Sequence, residues 1–208
     1  QKTNNISIEK LTLKLEFARK TKRLPKIIIP VHIAGEPCNM KEIFKLSKIY
    51  KFKIIEDASH AIGSIYNNAR IGSCKYSDIS VFSFHAVKII TTAEGGAALT
   101  NNIKLAKKLR LLRSHGMTRN PLEQIQPNKA GWYYEQILLG YNYRMTDIQA
   151  ALGISQLKKI AKFLSSRNKI ANIYDNALQD LPLTLPYRNN NNFSANHLYI
   201  IKLKTKNI

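Results

Sequence analysis

Ile79-Ser80-Val81-Phe82-Ser83-Phe84 is the stretch that decides the fold, because its β-branched and aromatic residues predict a buried strand. Three runs of similar character accompany it. Lys26–Val31 predicts an earlier strand, Lys53–Ile55 predicts another that ends at Glu56-Asp57, and Ala97–Thr100 predicts a fourth after two glycines. The first half of the chain is therefore expected to build a sheet.

Helical periodicity separates and follows these strands. Apolar residues recur at helical spacing over 40–50 and again over 102–114. Strands that alternate with helices in this way indicate an α/β domain with a mainly parallel sheet, in which ligands bind beyond the carboxyl ends of the strands. Asp57, Ser83 and Lys88 lie at or just after predicted strand ends, which places them at that edge.

A long helix is predicted in the second half of the chain. It begins after Thr146, whose side chain can cap it, and Gln149 three residues further on completes a capping box. Apolar residues continue at helical spacing through Leu164, and the pattern extends over 167–178 towards Pro182.

The last residues are expected to open a second domain. His197-Leu198-Tyr199-Ile200-Ile201 is typical of a new strand and follows an asparagine-rich run at 189–192. We therefore divide the chain into the central part of a large domain, 1–165, and a linking helix with the start of a small domain, 166–208.

The composition is that of an ordinary globular protein. Hydrophobic residues make up 44% of the 208 residues, and no apolar run approaches the roughly 18 residues that cross a bilayer. Cys38 and Cys74 form neither a CxxC pair nor a disulfide framework, which favours a reducing compartment. The first residues show no secretory signal pattern. We expect a cytoplasmic protein with no membrane partner and no metal site.

The charge is strongly positive and suggests a rival function. Thirty-three Lys and Arg residues against 13 Asp and Glu give a net charge of +20, which would raise the affinity for nucleic acid. The basic residues are spread along the whole chain, without an arginine-rich tail or an RNA-binding aromatic motif. A coding sequence rich in A and T gives the same excess of lysine. We expect no nucleic-acid partner; binding that salt weakens and that ignores a small cofactor would favour one.

The setting of Lys88 singles it out from the other lysines. A lysine after a strand is by default a solvated surface residue, but here Asp57 and Ser83 end two strands and Gly95-Gly96 follows. Pyridoxal phosphate (PLP) requires this set of groups. An amine forms a Schiff base, a carboxylate faces the pyridine nitrogen, and hydroxyl and backbone N–H groups hold the phosphate.

Longer motifs carry a resemblance to a known family. They are Ile55–Ala61, Phe82–Lys88 with Thr92–Gly96, and Leu139–Ala151. In this order they resemble the DegT/DnrJ/EryC1/StrS sugar aminotransferases, and the similarity covers essentially the whole chain. The resemblance implies a fold-type-I PLP-dependent transferase: the large domain, of the aspartate aminotransferase type, and the beginning of a small C-terminal domain.

Two further segments point to one branch of that family. Pro30–Cys38 and Arg113–Met117 look closest to the enzymes that aminate a UDP-linked 4-keto-6-deoxy-N-acetyl-hexosamine for pseudaminic acid synthesis. The resemblance implies that L-glutamate donates the amino group and that C4 of the nucleotide sugar receives it.

The resemblance also implies a role for each matching residue. Lys88 would hold the cofactor and later move a proton between cofactor and substrate. Asp57 would pair with the pyridine nitrogen, His60 would lie beside the cofactor ring near its phenolic oxygen, and Ser83 would donate to the phosphate. Asn142 matches an asparagine that reaches the phosphate from the partner subunit, which implies a homodimer.

The chain departs from the family pattern in two ways. Relatives are nearly twice as long, so the resemblance implies that the Gly-Thr phosphate loop, the aromatic that stacks on the ring and most of the small domain are missing here. Ala86 stands where relatives have proline, which loosens the turn but removes no reacting group. A non-catalytic fragment or pseudoenzyme is therefore an alternative. A sugar dehydratase is another, although those relatives carry histidine where Lys88 stands.

Overall fold

The computed structural model describes residues 3–126, 130–189 and 191–204. Within these ranges the chain forms five α-helices: α1 Ile8–Lys20, α2 Met40–Tyr50, α3 Ile103–Arg113, α4 Asp147–Leu157 and α5 Ile160–Leu178. The strands of the same ranges are β1 Ile27–Ile28, β2 Lys53–Asp57, β3 Ile65–Tyr66, β4 Ala69–Arg70, β5 Ile79–Ser83, β6 Gly96–Leu99, β7 Met117–Thr118, β8 Glu135–Gln136, β9 Leu183–Thr184, β10 Asn192–Phe193 and β11 Lys202–Leu203.

The central sheet has the strand order β1-β2-β5-β6. β1, β2 and β5 run parallel, with Ile55 opposite Ile79, whereas β6 runs antiparallel to β5, with Gly96 opposite Ser83. Helix α2 connects β1 to β2, as parallel pairing requires of a crossover. The prediction of an α/β domain with a mainly parallel sheet is confirmed.

The core of this domain lies between the sheet and the helices α1 and α2. Leu15, Ile43 and Ile54 are buried in one cluster. α1, which the sequence analysis did not predict, begins at a cap in which Ser7 Oγ accepts from the backbone N–H of Lys10 at 3.3 Å. The packed helices hold β2 in place, and β2 carries Asp57.

The single long helix predicted from Thr146 is in fact two helices. The capping box at its start is confirmed, because Thr146 and Gln149 each bond the other's backbone N–H. The helix nevertheless ends at Leu157, and α5 begins after Lys159. This break allows Leu164 of α5 to pack in a second cluster with Ile89, Ile90 and Ala195, below the loop that carries Lys88.

The strand predicted over 197–201 is wrong, because the strand in this region is β11, at Lys202–Leu203. The backbone N–H groups of His197 and Leu198 both donate to the carbonyl of Ala34, at 2.8 and 3.4 Å. The guanidinium of Arg167 donates a hydrogen bond to the His197 carbonyl at 3.2 Å. These bonds take the backbone groups that a sheet partner would need.

The predicted division after residue 165 falls within α5, and residues 205–208 of the predicted second domain lie outside the described residues. No helix of the described residues is long and apolar enough to cross a membrane.

Candidate active site

Asp57 ends β2 at the carboxyl edge of the sheet, and its backbone is held on both sides. Its N–H donates to the Pro30 carbonyl at 2.9 Å, and its carbonyl accepts from the His32 N–H at 3.1 Å. The side-chain oxygen Oδ1 accepts from the backbone N–H of Ser59 at 3.0 Å. Oδ2 has no hydrogen-bond partner among the described residues, and no lysine or arginine of those residues forms an ion pair with Asp57. One carboxylate oxygen is therefore free to accept from a ligand.

A buried polar network lies directly behind Asp57. His32 Nδ1 accepts from the backbone N–H of Cys38 at 3.0 Å, so Nε2 carries the proton and donates to Glu56 Oε2 at 2.9 Å. The hydroxyl of Ser77 donates to the other oxygen of Glu56. His32 and Glu56 are 0% and 3% exposed. The network locks the segment that follows β1 onto β2, one residue before Asp57.

Lys88 lies in the loop that follows β5, and β5 is the strand next to β2 in the sheet. Ser83 ends β5, and its Oγ accepts from the backbone N–H of His85 at 3.4 Å. The N–H of Lys88 donates to the carbonyl of His85 at 3.0 Å, which forms a tight turn. Thr92 closes the loop by donating to the Phe84 carbonyl at 2.9 Å. The hydroxyl hydrogen of Ser83 and the amine of Lys88 are free of ion pairs or hydrogen bonds to other described residues.

His60 follows the end of β2 by three residues. Its Nδ1 accepts from the backbone N–H of Ala34 at 3.4 Å. Burial lowers the pKa of His60, the charge of Lys88 lowers this pKa further, and the charge of Asp57 acts in the opposite direction. Lys88 and Asp57, which follow two adjacent strands, thus each lie close enough to His60 to act on its charge.

The ring of His197, which was not predicted as a site residue, lies against the ring of His60. Its ring centroid is 4.4 Å from that of His60, with the planes tilted by 40°. Burial lowers the pKa of His197 to about 4, helped by His60, Lys88 and Arg167. No local motif marked this histidine, because its contacts with His60 and Lys88 depend on the tertiary fold.

Among the described residues, no hydrogen bond, ion pair or ring contact joins the side chain of Asn142 to Asp57, His60 or Lys88. The backbone of Asn142 forms an antiparallel bridge with Ser114, and the residue is exposed. Its neighbours Tyr141 and Tyr143 stack on each other with ring centroids 4.9 Å apart, and both remain more than half exposed. Asp57 and Lys88 therefore both lie close enough to His60 to act on its charge, whereas no contact of the described residues links Asn142 to them.

Comparison with known proteins identifies the family of the chain. The DegT/DnrJ/EryC1/StrS aminotransferase family matches residues 1–208. The chain belongs to this family. A UDP-4-amino-4,6-dideoxy-N-acetyl-beta-L-altrosamine transaminase from Campylobacter jejuni is 39% identical to it over 202 residues, which are 96% of this chain and 50% of that enzyme.

Solved structures of family members have the same fold. PseC from Helicobacter pylori, an aminotransferase of pseudaminic acid biosynthesis, is 38% identical with a TM-score of 0.82, covering 95% of this chain and 49% of that one. The PLP form of the putative sugar aminotransferase Spr1654 from Streptococcus pneumoniae is 31% identical with a TM-score of 0.73, covering 86% and 48%. The chain spans about half the length of these relatives.

The residues at the site fit the cofactor of this PLP-dependent family. PLP presents an aldehyde, a pyridine nitrogen and a phosphate, and it needs an amine, a carboxylate and hydrogen-bond donors. Lys88, Asp57 and Ser83 supply the amine, a carboxylate oxygen free to accept, and a hydroxyl free to donate. The donor set at the two strand ends matches the three parts of the cofactor.

Proposed function

We propose that the protein is a PLP-dependent aminotransferase that moves an amino group from L-glutamate to C4 of a UDP-linked 4-keto-6-deoxy sugar, in pseudaminic acid or related surface-glycan biosynthesis. The observation that supports this proposal is that Lys88 and Asp57 follow two adjacent parallel strands and both act on the charge of His60. The Campylobacter and Helicobacter relatives, both named for this pathway chemistry, support the choice of sugar.

Each residue performs a distinct task in this proposal. The free carboxylate oxygen of Asp57 faces the pyridine nitrogen and keeps it protonated, so that bound PLP acts as an electron sink. Ser83 donates its hydroxyl hydrogen to the phosphate. His60 lies beside the ring as a neutral imidazole at neutral pH, because its pKa is lowered. Lys88 holds the cofactor and, once its amine is free, takes and returns the proton at the reacting carbon.

We also propose that the active enzyme is a homodimer in which Asn142 reaches the phosphate of the partner's site. Large exposed apolar side chains surround Asn142, among them Leu139, Tyr141 and Tyr143, at 90%, 57% and 72% exposure. A cleft of about 880 Å³ lies beside them and is lined by Tyr141, Tyr143 and residues of α3 and β5. Contiguous apolar surface of this kind is typical of a subunit interface.

Mixing two inactive variants tests this arrangement. Random exchange of Lys88→Ala and Asn142→Ala subunits puts half of the molecules into mixed dimers, each with one intact site if Asn142 acts across the interface. About 25% of wild-type activity should then return. A mixture that stays inactive although mixed dimers form would contradict the role of Asn142.

A cytoplasmic location belongs to the same proposal. Cys38 and Cys74 are both free and buried, and unpaired thiols are typical of a reducing compartment. Nucleotide sugars and glutamate would be the small-molecule partners, with no nucleic acid needed for activity. Activity that requires added nucleic acid would contradict this choice of partners.

The catalytic proposal is tested with Lys88→Ala in the complete enzyme that contains this chain. The variant should lose transamination and the visible absorbance of the lysine-bound cofactor, whereas Lys104→Ala, which changes an exposed lysine on α3, should keep both. Normal turnover by Lys88→Ala would refute the mechanism. A wild-type protein that neither shifts the PLP spectrum nor turns over would instead favour the non-catalytic alternative.

A further inference from the structure

A second cleft, which the proposed function does not use, lies between the N-terminal ends of α1 and α2 and the strands β3 and β10. Its volume is about 370 Å³, which is within the range of small-molecule sites. Asp57, His60, Ser83 and Lys88 line no part of it. Part of its wall comes from the asparagine-rich run at 189–192, and we call it the asparagine cleft.

The wall of the asparagine cleft is rich in amides and poor in positive charge. Its amides are those of Asn5, Asn39, Asn67, Asn189, Asn191 and Asn192. No lysine, arginine or histidine of the described residues lines it, although the chain carries 33 lysine and arginine residues. Glu36 adds a negative charge. A ligand with a phosphate would meet a carboxylate and no cation, so the cleft suits an uncharged ligand.

Two polar atoms beside Glu36 are buried without a hydrogen-bond partner among the described residues. They are Asn192 Oδ1, an acceptor, and Arg188 Nη2, a donor. Asn192 Nδ2 donates to Glu36 Oε1 at 3.3 Å, whereas no described residue donates to Glu36 Oε2. A buried polar atom without a partner is costly, so a ligand or an ordered water is expected to satisfy these atoms.

The charges around Glu36 favour a hydroxyl ligand. Arg188 Nε donates to Asp175 Oδ2 at 2.7 Å, and Nη1 donates to Asn196 Oδ1 at 3.2 Å. An amino acid therefore fits poorly, because its carboxylate needs a cation and the charge of Arg188 is already matched by Asp175. Two acceptors and one donor remain, and sugar hydroxyls satisfy both kinds because each hydroxyl donates and accepts.

Two tyrosines supply apolar surface for a sugar ring. Tyr66 is 7% exposed, and its hydroxyl donates to Asn39 Oδ1 at 2.7 Å, which fixes the ring in the wall. Tyr187 lines the cleft and also a smaller cavity of about 50 Å³, which Glu36 and Arg188 line as well. The smaller cavity has room for a hydroxyl or a few waters. The cleft has room for the ring itself, against the tyrosine faces.

We propose that the asparagine cleft is a binding site for a neutral sugar ring, separate from the site at Lys88. One sugar hydroxyl donates to Glu36 Oε2, another donates to Asn192 Oδ1, and a hydroxyl oxygen accepts from Arg188 Nη2. The site takes sugars without a phosphate or a nucleotide. It does not depend on the proposed aminotransferase function, because none of the residues assigned to that function contributes to it.

Binding to the complete, PLP-loaded enzyme tests this site, with N-acetylglucosamine and its 1-phosphate as the probes. Nuclear magnetic resonance of protein labelled with ¹⁵N-asparagine follows the Asn192 amide without any substitution. Asn192→Leu removes both polar atoms at similar side-chain volume, and Glu36→Gln removes the charge at nearly unchanged shape. Asn176→Leu is the matched control, because Asn176 is an exposed asparagine on α5.

We expect N-acetylglucosamine to shift the Asn192 amide resonance to saturation, and the 1-phosphate to bind there more weakly by roughly 10-fold or more. Asn192→Leu should weaken the binding of N-acetylglucosamine roughly 10-fold, because a buried hydrogen bond is lost. Glu36→Gln should weaken it roughly 3- to 10-fold, because the bond to an ionised acceptor becomes a neutral one. Asn176→Leu should bind like the wild type.

Three results would overturn the proposal. An Asn192 resonance that never shifts means that ordered water alone fills the cleft. Unchanged affinity in Asn192→Leu or Glu36→Gln means that the sugar binds elsewhere, and tighter binding of the 1-phosphate contradicts the charge argument. If Asn192→Leu fails to fold, the wild-type resonance and Glu36→Gln decide. Since the readout is binding, an enzyme without transaminase activity would contradict the proposed function and leave this test intact.

Discussion

Removing the Glu56 carboxyl should destabilise the protein far more than removing a carboxyl from its surface. Glu56 is 3% exposed and accepts hydrogen bonds from His32 Nε2 and from Ser77. His32 cannot turn to another partner, because its Nδ1 is already bonded to the Cys38 N–H. Glu56→Ala therefore leaves a ring N–H and a hydroxyl buried without acceptors.

The size of the effect follows from those two bonds. Each unsatisfied buried group costs about 1–3 kcal/mol, and breaking a buried pair by removing one partner costs about 3–5 kcal/mol. We expect the free energy of unfolding to fall by about 3–5 kcal/mol in Glu56→Ala. In Glu56→Gln it should fall by about 1–2 kcal/mol, because the amide oxygen can still accept from His32. Glu42→Gln is the matched control, because Glu42 forms an exposed pair with Lys45 on α2, worth less than about 1 kcal/mol.

Urea unfolding of the complete protein, followed by circular dichroism, measures these differences. With a slope of about 2–3 kcal/mol per molar urea, the midpoint should fall by about 1–2.5 M for Glu56→Ala and by less than about 0.5 M for Glu42→Gln. The affinity for PLP should fall with Glu56→Ala as well, because the network holds the segment that clamps the Asp57 backbone. A Glu56→Ala midpoint equal to that of Glu42→Gln would refute the reasoning.

Two further predictions concern packing and pH. Gly63→Ala should cost about 1–3 kcal/mol in unfolding free energy, because Gly63 has φ +86° and a Cβ there would lie 2.4 Å from Leu164 Cδ1. Gly131→Ala is the control, because a Cβ at Gly131 would meet no atom of the described residues within 4 Å. Equal losses in the two variants would contradict the packing. The pKa of His197 is lowered from 6.5 to about 4, so the unfolded chain binds a proton first as the pH falls. The contribution of His197 to the free energy of unfolding should therefore be fully present above pH 6.5 and decline as the pH falls towards 4. A His197→Phe variant whose free energy of unfolding shows the same pH slope as the wild type would contradict this.

The sequence was enough to predict the central sheet and the residues at its edge. The β-branched runs at β2 and β5 are too short for helices, and the alternation of strands with helices along the chain predicts a mainly parallel sheet. Asp57 and Lys88 were therefore expected at the same edge of the sheet, although they lie 31 positions apart in the chain. Their chemical roles came from the motifs, because a lone lysine after a strand carries no signal of its own.

Other features depended on tertiary contacts that no periodicity encodes. The segment 197–201 has the composition of a strand, but the carbonyl of Ala34 and the side chain of Arg167 take its backbone groups. The same contacts bring His197 against His60. The break between α4 and α5 likewise serves the packing of Leu164 under the Lys88 loop, and the residues on either side are all compatible with one continuous helix.

The proposal depends on the amine of Lys88 being the group that holds the cofactor. Treating the PLP-loaded complete enzyme with sodium borohydride fixes the bond between cofactor and amine, and peptide mass mapping then locates it. The account predicts one pyridoxyl-phosphate mass increment per chain, on the peptide that contains Lys88. An increment on another lysine, or none in an enzyme that still transaminates, would contradict it.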